Sequence, residues 1–311
     1  MLSRVADSMY WMSRYFERAD HCARVLEANY NLMLNPSATS TDQRWHRIAA
    51  CLGFVLDAAD IDLQAIMVRM TSDPESRSSI VSCITSAREN ASQVREQISS
   101  EMWERLNQLY HETTHSGHRL EHDADPLRLV GAIREGSYRF HGVTDLTMNH
   151  DEGWQFIQFG KYMERACAVS ILVDAHFSAG LSEHDPDWIG LLASCSAFEA
   201  YCKVYTADLS PGRIAEFLLL NAEFPYAVRY SADRMQASLD AIAEAASVRR
   251  AARVERIIGQ LRSSLAYGQI QEIIGGGLHG YLNRLLEGCR HLHAAVHELF
   301  IDYPIESALE A

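Results

Sequence analysis

Apolar residues recur in threes and fours along most of this 311-residue chain, and that spacing predicts a succession of amphipathic helices. The first runs from Ser3, an acceptable N-cap, to about Leu34, where Asn35-Pro36 stops it. Val5, Met9, Met12, Phe16, Ala19, Ala23, Leu26 and Tyr30 form its stripe. A polar loop over Ser37–Gln43 leads to a second helix, Trp45–Met70, closed by Asp73-Pro74. A long helix is expected from about Ser78 to His111, with Ile80, Ile84, Ala87, Ala91, Ile98, Met102, Leu106 and Leu109 on one side. From Glu112 to His150 the chain turns polar and glycine-punctuated, which predicts a partly helical connection. The plan then repeats: a helix ending near Ala179-Gly180, followed by Trp188–Tyr205, Tyr226–Ser247, Arg249–Tyr267 and Leu278–Phe300, with Gly275–Gly277 as a flexible joint. No alternating strand pair interrupts the series. The pattern is that of an all-α protein.

One segment occurs twice. Met9–Tyr30 reads MYWMSRYFERADHCARVLEANY, and Phe156–Phe177 reads FIQFGKYMERACAVSILVDAHF. Placing Glu17 on Glu164 aligns Tyr15 with Tyr162, Phe16 with Met163, Arg18 with Arg165 and Ala19 with Ala166, and puts Lys161 on Arg14. A shared Tyr-apolar-Glu-Arg-Ala core inside matching apolar spacing points to an internal duplication. The expected architecture is a helical bundle built from two pseudo-repeated halves, 1–147 and 148–311, packed as one compact unit.

Composition narrows the partners. With 48% apolar and 22% charged residues the chain has an ordinary globular make-up. Its formal charge of −13 argues against nucleic acid, which needs a basic surface, and against an anionic membrane. No run approaches the ~20 apolar residues of a membrane span. Arg4, Asp7, Arg14 and Glu17 interrupt the N-terminal apolar residues, so no signal peptide is read and a cytoplasmic location is expected. The seven cysteines are scattered and never spaced CxxC, which favours reduced core thiols over a nucleophile or a disulfide framework.

Candidate chemistry centres on the repeated Glu-Arg pair. At 100° per residue, Glu17 lies about 150° from the centre of its helix's apolar face. Its counterpart Glu164 has Ile157, Ala168 and Ile171 as neighbours one and two turns away, so this second face should also be covered by protein. A buried carboxylate needs a cation. Arg88 and Arg95, seven residues apart near the apolar stripe of the long helix, are the expected partners. The resulting network of Glu17, Arg18, Glu164, Arg165, Arg88 and Arg95 is either a structural clamp between the halves or a pocket whose arginines grip a carboxylate or phosphate, with the glutamates orienting them or acting as an acid–base pair. A second candidate is the stripe His111, His115, His118 and His122, with Glu112 giving one E-x-x-H. Di-iron bundles use that motif twice, so a metal-dependent helical-bundle oxidase is the competing class, and a non-catalytic interaction scaffold is the third. His291, His293 and His297 form a weaker cluster. No phosphate loop, nucleophile elbow or dinucleotide fingerprint occurs, and no cofactor is expected.

The opening LSRVADSMYWMSRYFERAD, the REN…VRE of the long helix, the second FGKYMERA, EFLLLNAEFPYAVRYSADR and GLHGYLNRL together resemble the bacterial alpha-E family over nearly the whole chain. That resemblance implies an all-helical domain with a Glu-Arg motif. It also implies association with atypical ATP-grasp ligases and transglutaminase-like proteins, and hence a place in making or modifying peptides. Should ATP be used, a partner protein is expected to bind it.

Overall fold

A computed structural model describes residues 3–33, 40–56, 62–120, 126–182, 186–206, 208–245 and 252–301, with side chains at 115–120 and 126 excepted; fourteen α-helices and no strand occur among them. Helix α1 (Ser3–Leu32) is an uninterrupted helix free of Pro and Gly. The expected second helix divides into α2 (Thr41–Cys51) and α3 (Leu63–Ser72). Gly53 stands at φ +80, and the Phe54 and Gly53 amides return to the Ala49 and Ala50 carbonyls, a Schellman closure that ends α2. Ser40 caps α2 and Asp62 caps α3.

The long helix expected from Ser78 to His111 is also two, α4 (Ile80–Gln93) and α5 (Ser100–Leu120). Ser99 Oγ accepts from the Met102 amide at 3.1 Å, starting a new helix that folds back along α4. The polar connection contains a full helix, α6 (Pro126–Thr147). Asp151 then caps α7 (Glu152–Ser178), accepting from the Gly153 and Trp154 amides. The expected Trp188–Tyr205 helix is split into α8 (Asp187–Ser194) and α9 (Phe198–Tyr205) by Ser196 at φ +50. Helices α10 (Pro211–Leu220), α11 (Val228–Ala245), α12 (Ala252–Ala266), α13 (Ile270–Gly275) and α14 (Leu278–Val296) follow, the last continued by a π-helical turn at His297–Ile301. No helix among the described residues is long and apolar enough to cross a membrane.

Helices α1 and α7 form the centre. α1 also touches α4, α6 and α8, while α7 also touches α2, α11 and α14. The two run side by side in the same direction: Met9 lies against Gly153, Tyr10 stacks on Phe159, and Glu17 reaches Arg165. Gly160 permits the closest approach. A Cβ there would sit 2.5 Å from the Tyr10 carbonyl oxygen and against Ser13 Oγ. Because other helices surround both, α1 buries Glu17, Asp20, His21, Arg24 and Asn29 as completely as its apolar stripe. Polar side chains in such a position must find partners inside the protein.

Candidate functional site

The packing of α1 on α7 decides which charges meet. Glu17 is wholly closed to solvent. Arg165 of α7 grips it with both prongs, Nε to Oε1 at 2.7 Å and Nη2 to Oε2 at 2.9 Å. In the opposite sense, Glu164 of α7 accepts from Arg18 Nε at 2.6 Å and Arg14 Nε at 2.7 Å, both on α1. The Glu-Arg pair of each helix is thus satisfied by the other helix. The sequence separations of these contacts, 146, 148 and 150, bracket the 147 positions between Glu17 and Glu164.

Further groups complete the network. Arg24 lies 3.7 Å from Glu17, pairs with Asp20 one turn away on its own helix, and donates to Tyr226 Oη at 2.9 Å. The guanidinium carbons of Arg24 and Arg165 stand 4.2 and 4.1 Å from the Tyr226 ring centre. His141 of α6 lies 3.7 Å from Glu17. At the other end Arg14 Nη1 donates to Tyr10 Oη, which also hydrogen-bonds His293.

Of the six residues expected to meet, four do. Arg88 and Arg95 do not approach either glutamate. Arg88 donates to Asn107 Oδ1 at 2.7 Å and sits 4.4 Å from the Tyr110 ring centre, while exposed Arg95 lies 4.8 Å from that of Trp103. The cause is the break after α4, which folds α5 back so that its Trp103, Asn107 and Tyr110 engage Arg88 and its Trp103 meets Arg95. Arg14, Asp20, Arg24 and His141 take their place in the network. The i, i+4 spacing of Asp20 and Arg24 was the available sequence signal for one of those pairs.

Burial alone would raise the Glu17 carboxyl, but the Arg165 guanidinium foremost, with His141 and Arg24, holds it well below the carboxylate range. For Glu164 burial is likewise outweighed, here by Arg14 and Arg18. His21 and His141 are pushed down to about 4, chiefly by burial. The sign of the pH dependence follows. A depressed histidine contributes stability that is present above its unfolded pKa of about 6.5 and is lost toward 4, and a depressed carboxylate adds a further loss below about 4.3. The melting temperature is therefore expected to fall as the pH is lowered from 7 to 3. A melting temperature unchanged between pH 6.5 and 3 would contradict this charge assignment.

The histidine stripe is not assembled among the described residues. His111 is exposed on α5, the His115 and His118 side chains and His122 lie outside the described residues, and no group of three or more potential ligands gathers elsewhere among them. The C-terminal histidines separate, with His293 and His297 packing on Tyr10 while His291 is exposed. All seven cysteines are free thiols.

Comparison with known proteins bears on the whole chain. A family model named Alpha-E, described as a predicted alpha-helical domain with a conserved ER motif, matches residues 1–301. Uncharacterized proteins of Mycobacterium tuberculosis and Mycobacterium bovis are each 25% identical over an alignment of 329 residues, which covers 95% of this chain and 36% of the relative. The chain therefore spans little more than a third of the length of these relatives. No solved structure matches it.

Proposed function

The chain belongs to the Alpha-E family, and from that premise we propose that it is the helical, non-catalytic component of a peptide- or amide-bond-forming system, working beside an ATP-grasp-type ligase. Its Glu-Arg network acts as the clamp that docks two related halves. The observation that carries the clamp is the state of the carboxylates. Glu17 is sealed and held bidentately, and Glu164 is held by two arginines with its side chain 10% exposed. A carboxylate kept ionised far below neutrality is a poor general base, and neither arginine set is uncommitted. The reciprocal, in-phase pairing of α1 with α7 supports the reading of two halves derived by duplication. That the longer relatives carry this unit as 36% of their length supports a part that works joined to, or beside, other domains. The ligase and a transglutaminase-like protein as partners follow from the family resemblance.

The purified chain is expected to show no ATP turnover of its own and to co-purify with an ATP-grasp-type ligase of the same organism when the two are co-expressed. ATP hydrolysis by the isolated chain that disappears on mutating one of its residues would overturn the non-catalytic reading. A ligase that elutes separately and whose turnover is indifferent to the added chain would overturn the partnership.

A further inference from the structure

The two ends of the network differ in one respect that the clamp does not use. Three positions before Glu17, Arg14 is bound to Glu164. Three positions before Glu164 stands Lys161, which makes no hydrogen bond or ion pair among the described residues. Its Nζ lies 5.1 Å from the Tyr162 ring centre. Two guanidinium carbons approach the same ring, Arg165 at 5.5 Å and Arg234 of α11 at 6.0 Å. Arg165 is committed to Glu17. Arg234 makes no ion pair among the described residues, and its Nε is buried without a partner. His141 of α6 is not free in the same way, since its Nε2 faces Glu17 at 3.7 Å.

The charges around this ring do not balance. Glu17 is already matched by Arg165, and Asp145, the other acid that acts on Lys161, is exposed at the end of α6. Two cations, Lys161 and Arg234, thus stand half-buried without a counter-ion. Burial first, and then the Arg165 charge, pull the lysine ammonium down to about 8. Unpaired charge near the interior destabilises a fold, and strain of this kind concentrates where something binds. Both side chains keep partial contact with solvent. They offer an ammonium and a planar fork, a donor set suited to oxygen anions.

We propose that Lys161 and Arg234 form an anion-binding site between α7 and α11 that takes a phosphoryl group bearing two negative charges. A carboxylate would neutralise only one of the two uncommitted cations, whereas a phosphoryl group matches both. The site uses neither of the clamp's glutamates nor the arginines that bind them, and it does not depend on which ligase, if any, the chain accompanies.

Calorimetric titration and thermal unfolding of the full chain, at pH 7.5 and ionic strength matched with potassium chloride, test this with inorganic phosphate, adenosine monophosphate and acetate as probes. Phosphate or the nucleotide is expected to bind saturably at one site and raise the melting temperature, while acetate does neither. Equal binding of the first two assigns free phosphate, and tighter binding of the nucleotide assigns an esterified phosphoryl group. Lys161→Met and Arg234→Met should each weaken binding at least tenfold. The unliganded Lys161→Met protein should melt no lower than the parent, because the removed cation had no partner. Arg262→Met, which removes a half-exposed ion pair with Asp233, should bind as the parent does. The proposal is overturned if neither phosphate nor the nucleotide binds saturably, if acetate binds as well as they do, or if binding survives in both site variants.

Discussion

Arg165→Met is expected to remove about 3–5 kcal/mol of stability, the range for stranding one member of a buried ion pair. Glu17 would keep Arg24 at 3.7 Å but lose both of its short hydrogen bonds, in a position with no access to water. Against a usual total of about 5–15 kcal/mol, such a loss is a large fraction of the fold's stability. The double variant Glu17→Gln with Arg165→Met should regain part of the loss, since no uncompensated carboxylate remains. Arg88→Met is the matched control. That arginine is half-buried, with one hydrogen bond and contacts to two aromatic rings, so its removal should cost no more than about 1.5 kcal/mol. Urea unfolding of the four proteins measures these differences. An Arg165→Met protein as stable as the parent would mean that the pairing of α1 with α7 does not hold.

Asp187→Asn is expected to have an effect of similar size through a second clamp. At the start of α8 the Asp187 carboxylate is wholly buried and binds Arg44 and Arg47, one turn apart on α2. Arg44 Nε donates to it at 2.7 Å, and the two arginine side chains are only 2% and 8% exposed. The amide leaves two enclosed guanidinium groups without their counter-ion, again about 3–5 kcal/mol by the same reasoning. This clamp joins helices whose contacting residues stand 140 and 143 positions apart in the sequence, so its loss should loosen α2 and α8 first. Hydrogen exchange in the Asp187→Asn protein should rise in α2 and α8 before α1. Uniform protection with an unchanged urea midpoint would exclude the clamp.

The all-helical class was legible because helix periodicity survives whatever the helices later pack against. Breaks were harder to read. Gly53 is an ordinary glycine until its φ of +80 is known, and Ser196, at φ +50, carries no residue signal for a left-handed turn. Glu17, Arg18, Glu164 and Arg165 could be singled out because the repeat displays them twice. Their partners could not be assigned, because that requires knowing which helices are neighbours. With Ser78–His111 as one helix, α5 cannot turn Trp103 and Tyr110 onto Arg88 and Arg95, and the glutamates are the partners left for them. Arg44 and Arg47 share one face of α2, but Asp187 lies 143 and 140 positions away in a segment with no periodic link to them.

The order in which the chain is made gives the Glu-Arg exchange a kinetic meaning. Glu17 waits for a partner 148 positions downstream, and at about 5–20 residues per second that stretch takes roughly 7–30 s to synthesise. Throughout that interval α1 holds a carboxylate that lacks Arg165 and two arginines, Arg14 and Arg18, that lack Glu164. The helix can rest its apolar side on α4, but its charged side keeps its water until α7 has left the ribosome. Burial of the first helix is thereby tied to synthesis of the seventh, and a chain arrested between them exposes the Glu17 carboxylate that the finished protein closes to solvent.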